Sequence, residues 1–429
     1  MPISSSNSTD DLLLGAENTK QAPFGTRYQS SGSVSDQISL FSKTAGFNPT
    51  LDETVRSSSR KTRKHDLYKG LCSESKVRRA LPNAFSSSIT AKKLTMDYKI
   101  AGIVGYGSNG VVLAVCDSKM NPMAVKIIYK THQSGTPVDK PHEIFILETL
   151  TRQGISPQIL QFHESWQDEF HHYMVTEYVG NCWLDDSVKL IEFEMESVSS
   201  VTDLPSSIPA SSGSTDLWAW SYSKRLESLQ NENHTNLQLH AVKAIIKEIA
   251  IALHCLHAAG FYHGDVKSEN VICDLQTPPP QQCEEQDLNI PEIILADFGH
   301  ARRHGTPMNL YGTPDVSPPE FLADSPFLEA SSGAQGAFAD VFALGIVMYM
   351  LVSQNGDGPK YMQLVREGRV TFFELLKSNS GDFPFEDSVE GRDNEELGAG
   401  FWDLIKKMCR VDPNERIQMA EVALHAWLN

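Results

Sequence analysis

The strongest constraint on this chain is the order in which two kinds of apolar pattern occur. Between Tyr98 and Val179 the apolar residues come in short, β-branched-rich runs separated by turn residues. The runs are Tyr98–Val104, Val111–Asp117, Met123–Tyr129, Gln158–Glu164 and Tyr173–Val179, and they read as strands. One helical stretch, Pro141–Leu150, stands among them. Further on the spacing becomes helical. Val242, Ile245, Ile246, Ile249, Ala252, Leu253 and Leu256 share one helix face, with Gly260 as the stop. Phe342–Leu351 is apolar nearly all round, which predicts a buried helix. Strands first and helices afterwards predict an α+β chain. A small lobe of strands plus one helix spans about 98–179, and a larger, mainly helical lobe spans about 180–429.

The segments around these patterns differ in composition. Residues 1–95 hold 18 serines and carry +6 (14 basic minus 8 acidic), which leaves −23 for 96–429 (23 minus 46). A Ser-rich segment with little to bury cannot offset its ordering entropy, so 1–95 reads as a disordered basic tail. Its run Arg60-Lys61-Thr62-Arg63-Lys64 fits a solvated charge run, a nuclear import signal or a contact with the acidic remainder. Residues 186–235, polar and rich in Pro and Ser, read as an inserted loop that Trp218 and Trp220 dock in part on the surface. A second insertion, 276–287, separates two short strands.

Charge and composition exclude several classes. A net charge of −17 disfavours nucleic acid and anionic membranes as general partners. The longest apolar run, Val341–Val352, falls short of the roughly 20 residues of a spanning helix. The start, MPISSSNSTDD, lacks a basic stretch followed by an apolar one, so no secretory signal is expected. The seven cysteines are scattered without a Cys-x-x-Cys pair. That argues against a disulfide framework or zinc site and for a reducing cytosol or nucleus. Nothing sets the oligomeric state, and a monomer is the default.

Four groups of residues carry chemistry. Gly105-Tyr106-Gly107-Ser108-Asn109-Gly110-Val111-Val112 is a G-x-G-x-x-G-x-V run. Its glycines let the backbone approach phosphate oxygens. Strands flank it on both sides, whereas a dinucleotide site needs a helix directly after the loop; a plain glycine hairpin stays open. Lys126 lies within the apolar strand Met123-Ala124-Val125-Lys126-Ile127-Ile128. It is either the exposed half of an alternating face or the partner of Glu143, 17 residues on, in an ion pair aimed at phosphates. The third group is His263-Gly264-Asp265-Val266-Lys267-Ser268-Glu269-Asn270, and the fourth is Asp297-Phe298-Gly299 after strand Ile293–Ala296. Asp297 and Asn270 offer oxygen to a hard cation, and Asp265 can accept a hydroxyl proton.

Together these residues resemble the eukaryotic-type protein kinase family. The resemblance covers about 98–429 and continues through Gly312-Thr313-Pro314, Pro318-Pro319-Glu320, Asp340-Val341-Phe342-Ala343-Leu344-Gly345 and Asp412-Pro413-Asn414-Glu415-Arg416. It implies a bilobal fold, a small antiparallel sheet lobe over a mainly helical one, with the active cleft between. It also implies ATP and Mg²⁺ as cofactors and protein substrates as partners.

The resemblance assigns roles position by position. Val104, Gly105, Tyr106, Gly107, Ser108, Asn109 and Gly110 cover the nucleotide, and Val112 and Ala124 sandwich its adenine. Lys126 binds the α- and β-phosphates and pairs with Glu143. Glu177 and Val179 bond adenine through their backbones, with Thr176 as gatekeeper. Asp265 positions or deprotonates the acceptor hydroxyl, and Lys267 neutralises the transferring group. Asn270 and Asp297 hold Mg²⁺. Glu320 pairs with Arg416 structurally, and His263 and Asp340 brace the catalytic loop. Lys267 and Thr313 match the serine/threonine subgroup, and Glu269 resembles a glutamate that selects basic peptides.

Two departures matter. Gly264 replaces the family's arginine, which binds a phosphate on the activation segment, so activity without phosphorylation-dependent ordering is expected. The segment Asp297–Glu320 has 24 residues and still offers Thr306 before Pro307. Asp315-Val316 replaces a frequent aromatic position. The alternatives are a small-molecule kinase of the aminoglycoside phosphotransferase type, suggested by Gly264, and a non-catalytic pseudokinase scaffold.

Overall fold

Antiparallel pairing follows directly from the strand-rich first half. The computed structural model describes residues 91–106, 110–130, 140–180, 214–230, 237–275, 290–306, 313–322, 324–327, 334–378, 381–386, 389 and 394–429. The small lobe contains helix α1 (Ala91–Asp97), strands β1 (Lys99–Tyr106), β2 (Gly110–Cys116) and β3 (Pro122–Tyr129), helix α2 (His142–Gln153), and strands β4 (Phe162–Gln167) and β5 (His171–Glu177). The strands form one five-stranded sheet in the order β1-β2-β3-β5-β4, with every pairing antiparallel.

Side-chain alternation gives this sheet two different faces. Val125 and Ile127 of β3 join Val111, Leu113, Val115, Tyr173 and Val175 in an apolar cluster. Lys126, between them, belongs to the opposite face. Gly110 is required where β2 meets β3, because a Cβ there would sit 2.2 Å from the Ile127 carbonyl oxygen.

Three boundaries differ from the expected ones. The tail expected to reach residue 95 ends earlier, since Ala91–Asp97 is helical and Leu94 is fully buried in the cluster. One apolar anchor in seven residues is too little periodicity to read from sequence. Lys93 and Tyr98 fasten this helix by donating to Glu164 Oε1 at 3.1 and 2.7 Å. Second, β4 begins at Phe162, not Gln158. Ile159 and Leu160 are spent on the junction with the large lobe: Leu160 N donates to the Leu295 carbonyl at 3.1 Å, and Leu295 N to Gln158 at 2.7 Å. Third, β5 starts at His171, two residues early, with both His171 and His172 buried.

The large lobe is mainly helical, as expected. It holds β6 (Ser214–Asp216), α3 (Leu217–Gln230), α4 (Leu239–Ala258), β7 (Phe261–Tyr262), β8 (Val271–Asp274), β9 (Glu292–Leu295), β10 (Arg302–Arg303), α5 (Ala334–Val352), α6 (Lys360–Arg366), α7 (Phe372–Ser378), α8 (Asn394–Met408) and α9 (Met419–Ala423). In α4 the seven periodic residues are all fully buried. The six larger ones each contribute on the order of 1.5–3 kcal/mol of apolar burial and Ala252 under about 1, before ordering entropy. Helix α5 is buried on all sides; Val341, Phe342, Leu344, Ile346, Val347 and Met348 are at most 1 % exposed.

Within the stretch expected as an insertion, 214–230 is an ordered strand and helix, and Leu217 and Trp220 are buried in the main core. Its other parts lie outside the described residues, as do the tail up to residue 90 with its basic run, segment 276–289, Gly107-Ser108-Asn109, Pro307 and Gly312. No helix among the described residues is long and apolar enough to cross a membrane. Cys116, Cys255, Cys273 and Cys409 are free thiols.

Candidate active site

The sheet face opposite the apolar cluster supplies the first half of the site. Lys126 registers opposite Val112 on β2 and Met174 on β5. Its Nζ donates to Glu143 Oε1 at 2.5 Å and to Asp297 Oδ1 at 2.8 Å. Glu143 stands in the first turn of α2, whose Ile144, Ile146, Leu147 and Leu150 are buried. Burial works against the Lys126 charge, but Glu143 and Asp297 raise it above the ordinary lysine value, so it stays cationic. Burial also opposes charge on Asp297, yet the Lys126 ammonium holds that carboxyl down at about 2.

The hairpin β8–β9 brings the oxygen donors together. Val271 pairs with Leu295, and Ala296 N donates to the Asn270 carbonyl at 2.9 Å. Asn270 therefore lies beside the strand end that delivers Asp297. Asp297 adopts a left-handed backbone at φ 56°, while Phe298 behind it is fully buried and packs edge-on against His263 at 5.0 Å.

Asp265 forms the second half. Its Oδ1 accepts from Thr313 N at 3.1 Å and Thr313 Oγ1 at 2.8 Å. Its Oδ2 accepts from Asn270 Nδ2 at 3.0 Å and lies 2.8 Å from Lys267 Nζ. Lys267 also donates to Thr313 Oγ1 at 2.7 Å. Burial pushes the Asp265 carboxyl up, but the Lys267 and Thr313 bonds outweigh it and hold it below the usual range.

The loop bearing Asp265 is braced from below. Asp340 in α5 is buried and accepts from His263 N at 2.7 Å, Gly264 N at 2.8 Å and His257 Nε2 at 2.9 Å. Asp265 N donates to His263 Nδ1 at 3.3 Å, so Nε2 carries the hydrogen donated to the Ala296 carbonyl at 2.9 Å. Gly264 sits at φ +76°, and a Cβ there would lie 2.8 Å from the His300 carbonyl oxygen.

The remaining expected positions lie in or just past the small-lobe sheet and, for Glu320 and Arg416, in the large lobe. Val112 and Ala124 are half-buried, and Val104 is exposed. Gly105 and Tyr106 close β1 opposite Val112 and Val111. Thr176 is buried, and its hydroxyl donates to the Glu177 carbonyl at 3.1 Å. The Glu177 carboxylate turns back to accept from Gln161 N at 2.8 Å. Val179, half-buried, stands two residues past the end of β5. Glu320 and Arg416 form a two-bonded buried pair at 2.7 and 2.6 Å. A cleft of about 1060 Å³ runs beside Lys267, Glu269, Thr313 and Val316 towards Trp218 and Met362. Sequence reasoning missed His257, whose only signal is a histidine in the last turn of a core helix.

Comparison with known proteins finds protein kinases. A family model described as "Protein kinase domain" matches residues 220–428. A protein of Drosophila persimilis named as a serine/threonine-protein kinase is 24 % identical over 333 residues, which are 77 % of this chain and 34 % of that protein. Mouse serine/threonine-protein kinase DCLK3 is 24 % identical over 343 residues, 77 % of this chain and 33 % of that one. Mouse Aurora kinase C is 27 % identical over 201 residues, 46 % of this chain and 58 % of that one. The chain thus spans about a third of the length of the first two relatives.

Proposed function

Because the chain belongs to the eukaryotic-type protein kinase family, we propose that it transfers the γ-phosphoryl group of ATP to serine or threonine hydroxyls of protein substrates. The carrying observation is the convergence of Lys126, Glu143 and Asp297 on one side and Asp265, Lys267, Asn270 and Thr313 on the other. Glycine-loop residues Gly105 to Gly110, with Val104, cover the nucleotide in this reading. Val112, Ala124 and the backbones of Glu177 and Val179 take the adenine.

The donor set suits Mg²⁺. Asn270 spends its amide nitrogen on the Asp265 carbonyl at 2.8 Å and on Asp265 Oδ2, which leaves its amide oxygen for a cation. Asp297 is a carboxylate throughout the neutral range and spends Oδ1 on Lys126. These two residues would hold the metal, which supplies charge neutralisation on the phosphate oxygens.

The protein's own part is positioning. Lys126, aimed by Glu143, fixes the phosphates. Asp265, a weak base by its lowered pKa, orients the hydroxyl and takes its proton late, which suits a loose transition state. Lys267 bridges Asp265 and Thr313, and so places a cation where the transferring group passes. Thr313 ties the substrate-docking segment to the catalytic carboxylate, which supports Ser/Thr acceptors. Glu269 in the adjoining cleft supports basic peptides. A cytosolic or nuclear setting accords with the free thiols.

The test is Mg²⁺-ATP-dependent labelling of a degenerate peptide library by the full chain. Incorporation on Ser/Thr peptides, reduced by roughly 10²-fold or more in Asp265→Asn, is expected. No incorporation would leave the scaffold alternative, and labelling of aminoglycosides in place of peptides would leave the small-molecule alternative.

A further inference from the structure

The pairing of Lys126 with Glu143 lasts only while α2 stays docked. The inner face of α2 is buried, but its outer edge presents Phe145, two residues after Glu143 and 36 % exposed. The Arg303 guanidinium lies 4.9 Å from the centre of the Phe145 ring and 5.6 Å from that of Phe261. Both distances fall within cation–π range. Phe261 is a buried residue of the large lobe, and Arg303 registers opposite it in the β7–β10 pair. Arg303 thus touches one ring from each lobe. Among the described residues it makes no ion pair. Gly264, meanwhile, contributes no side chain to this region, and its φ of +76° and the nearby His300 carbonyl leave no room for one.

We propose that Arg303 is a positioning residue: held between Phe145 and Phe261, it clips α2 to the large lobe and keeps Glu143 on Lys126 without a phosphate. It touches no reacting atom and acts through α2. A flat guanidinium suits two ring faces better than the compact, strongly hydrated ammonium of lysine. The proposal rests on the kinase reading only for its activity readout.

The experiment uses the full chain and the variants Arg303→Ala, Phe145→Leu, Phe145→Trp and the Arg303→Ala/Phe145→Leu double. Amide hydrogen exchange of α2 is compared with that of α4, and kcat/KM for peptide phosphorylation is measured before and after phosphatase treatment. Arg303→Ala and Phe145→Leu are each expected to speed α2 exchange and lower kcat/KM by roughly fivefold, with α4 unchanged. The double should be no worse than either single, and Phe145→Trp should stay near wild type. Unchanged α2 exchange in both singles, additive effects in the double, or α4 exchange rising in step with α2 would each overturn the clip. So would an Arg303→Ala effect that disappears after phosphatase treatment, since Arg303 would then be reading a phosphate. Exchange needs no nucleotide, so an inactive wild type would sink the kinase reading and still let α2 exchange decide this one.

Discussion

Replacing Glu320 with glutamine should destabilise the large lobe by several kcal/mol, about 3–5 at most. Glu320 and Arg416 have side chains 2 % and 0 % exposed. The carboxylate receives both terminal nitrogens of the guanidinium. Arg416 further donates to the carbonyls of Arg410 at 2.8 Å and Phe338 at 3.0 Å and lies 5.0 Å over the Phe342 ring. Glutamine keeps the shape but leaves a buried cation with carbonyl dipoles and no counter-charge. Breaking one side of a buried pair costs about 3–5 kcal/mol, and the surviving carbonyl bonds favour the lower figure. At about 2–4 °C per kcal/mol for a unit of this size, Tm should fall by roughly 6–12 °C. Thermal unfolding of the full chain by calorimetry measures it. The double variant Glu320→Leu/Arg416→Met, which removes both charges, should lose less than Glu320→Gln alone. A fall under about 2 °C, or a double variant worse than the single, would refute the burial argument.

Three further outcomes are expected. Leu94→Ala should destabilise the small lobe by about 2–4 kcal/mol in urea unfolding, because Leu94 is fully buried in its apolar cluster; a loss under about 1 kcal/mol would show that α1 is not anchored. Gly264→Ala should cost roughly 1–2 kcal/mol from its left-handed backbone alone, with more from the His300 carbonyl, and an unchanged midpoint would contradict the geometry. His171 and His172 have their pKa lowered by burial, with Lys130 adding to the shift and Asp168 opposing it, so the unfolded state binds more protons below about pH 6.5. Stability should therefore hold above that pH and fall as pH drops through it, by at most about 2.7 kcal/mol per unit for two protons, and a flat profile from pH 7 to 5 would exclude buried neutral imidazoles.

The sequence made α4 and α5 legible because they bury one long periodic face or none that is polar, whereas α3 was hidden in a Ser/Pro-rich stretch. Helix α4 extends the expected run by about a turn at its start and ends at Ala258, before Gly260 at φ +85°. Strands were legible where β-branched residues alternate, as in β2 and β3, and slipped where buried apolar residues serve something else. Ile159 and Leu160 look like strand but join the lobes, whereas His171 and His172 look like loop but lie inside a sheet. Helix α1 was hidden because only Leu94 marks it. The chemistry was readable as ordered short runs, since each group's spacing is set by local turns. Partners such as His257 on Asp340, or Arg303 on Phe145, depend on folds of the chain that no local spacing encodes.

Gly264 shows how a departure from the family pattern can leave the catalytic loop intact. The loop's shape comes from backbone groups: Asp340 takes the N–H groups of His263 and Gly264, and His263 takes that of Asp265. None of these bonds involves a side chain at position 264. The glycine even relaxes the loop, since φ +76° costs it no Cβ strain. A glycine at 264 supplies no cation of its own and leaves the placement of Asp265 to these backbone bonds. Thr313 and Lys267, held to Asp265 by their own short bonds, keep the docking segment tied to the centre whatever stands at 264. The side chain at 264 and the placement of Asp265 are thus separable in this loop, because different atoms carry them.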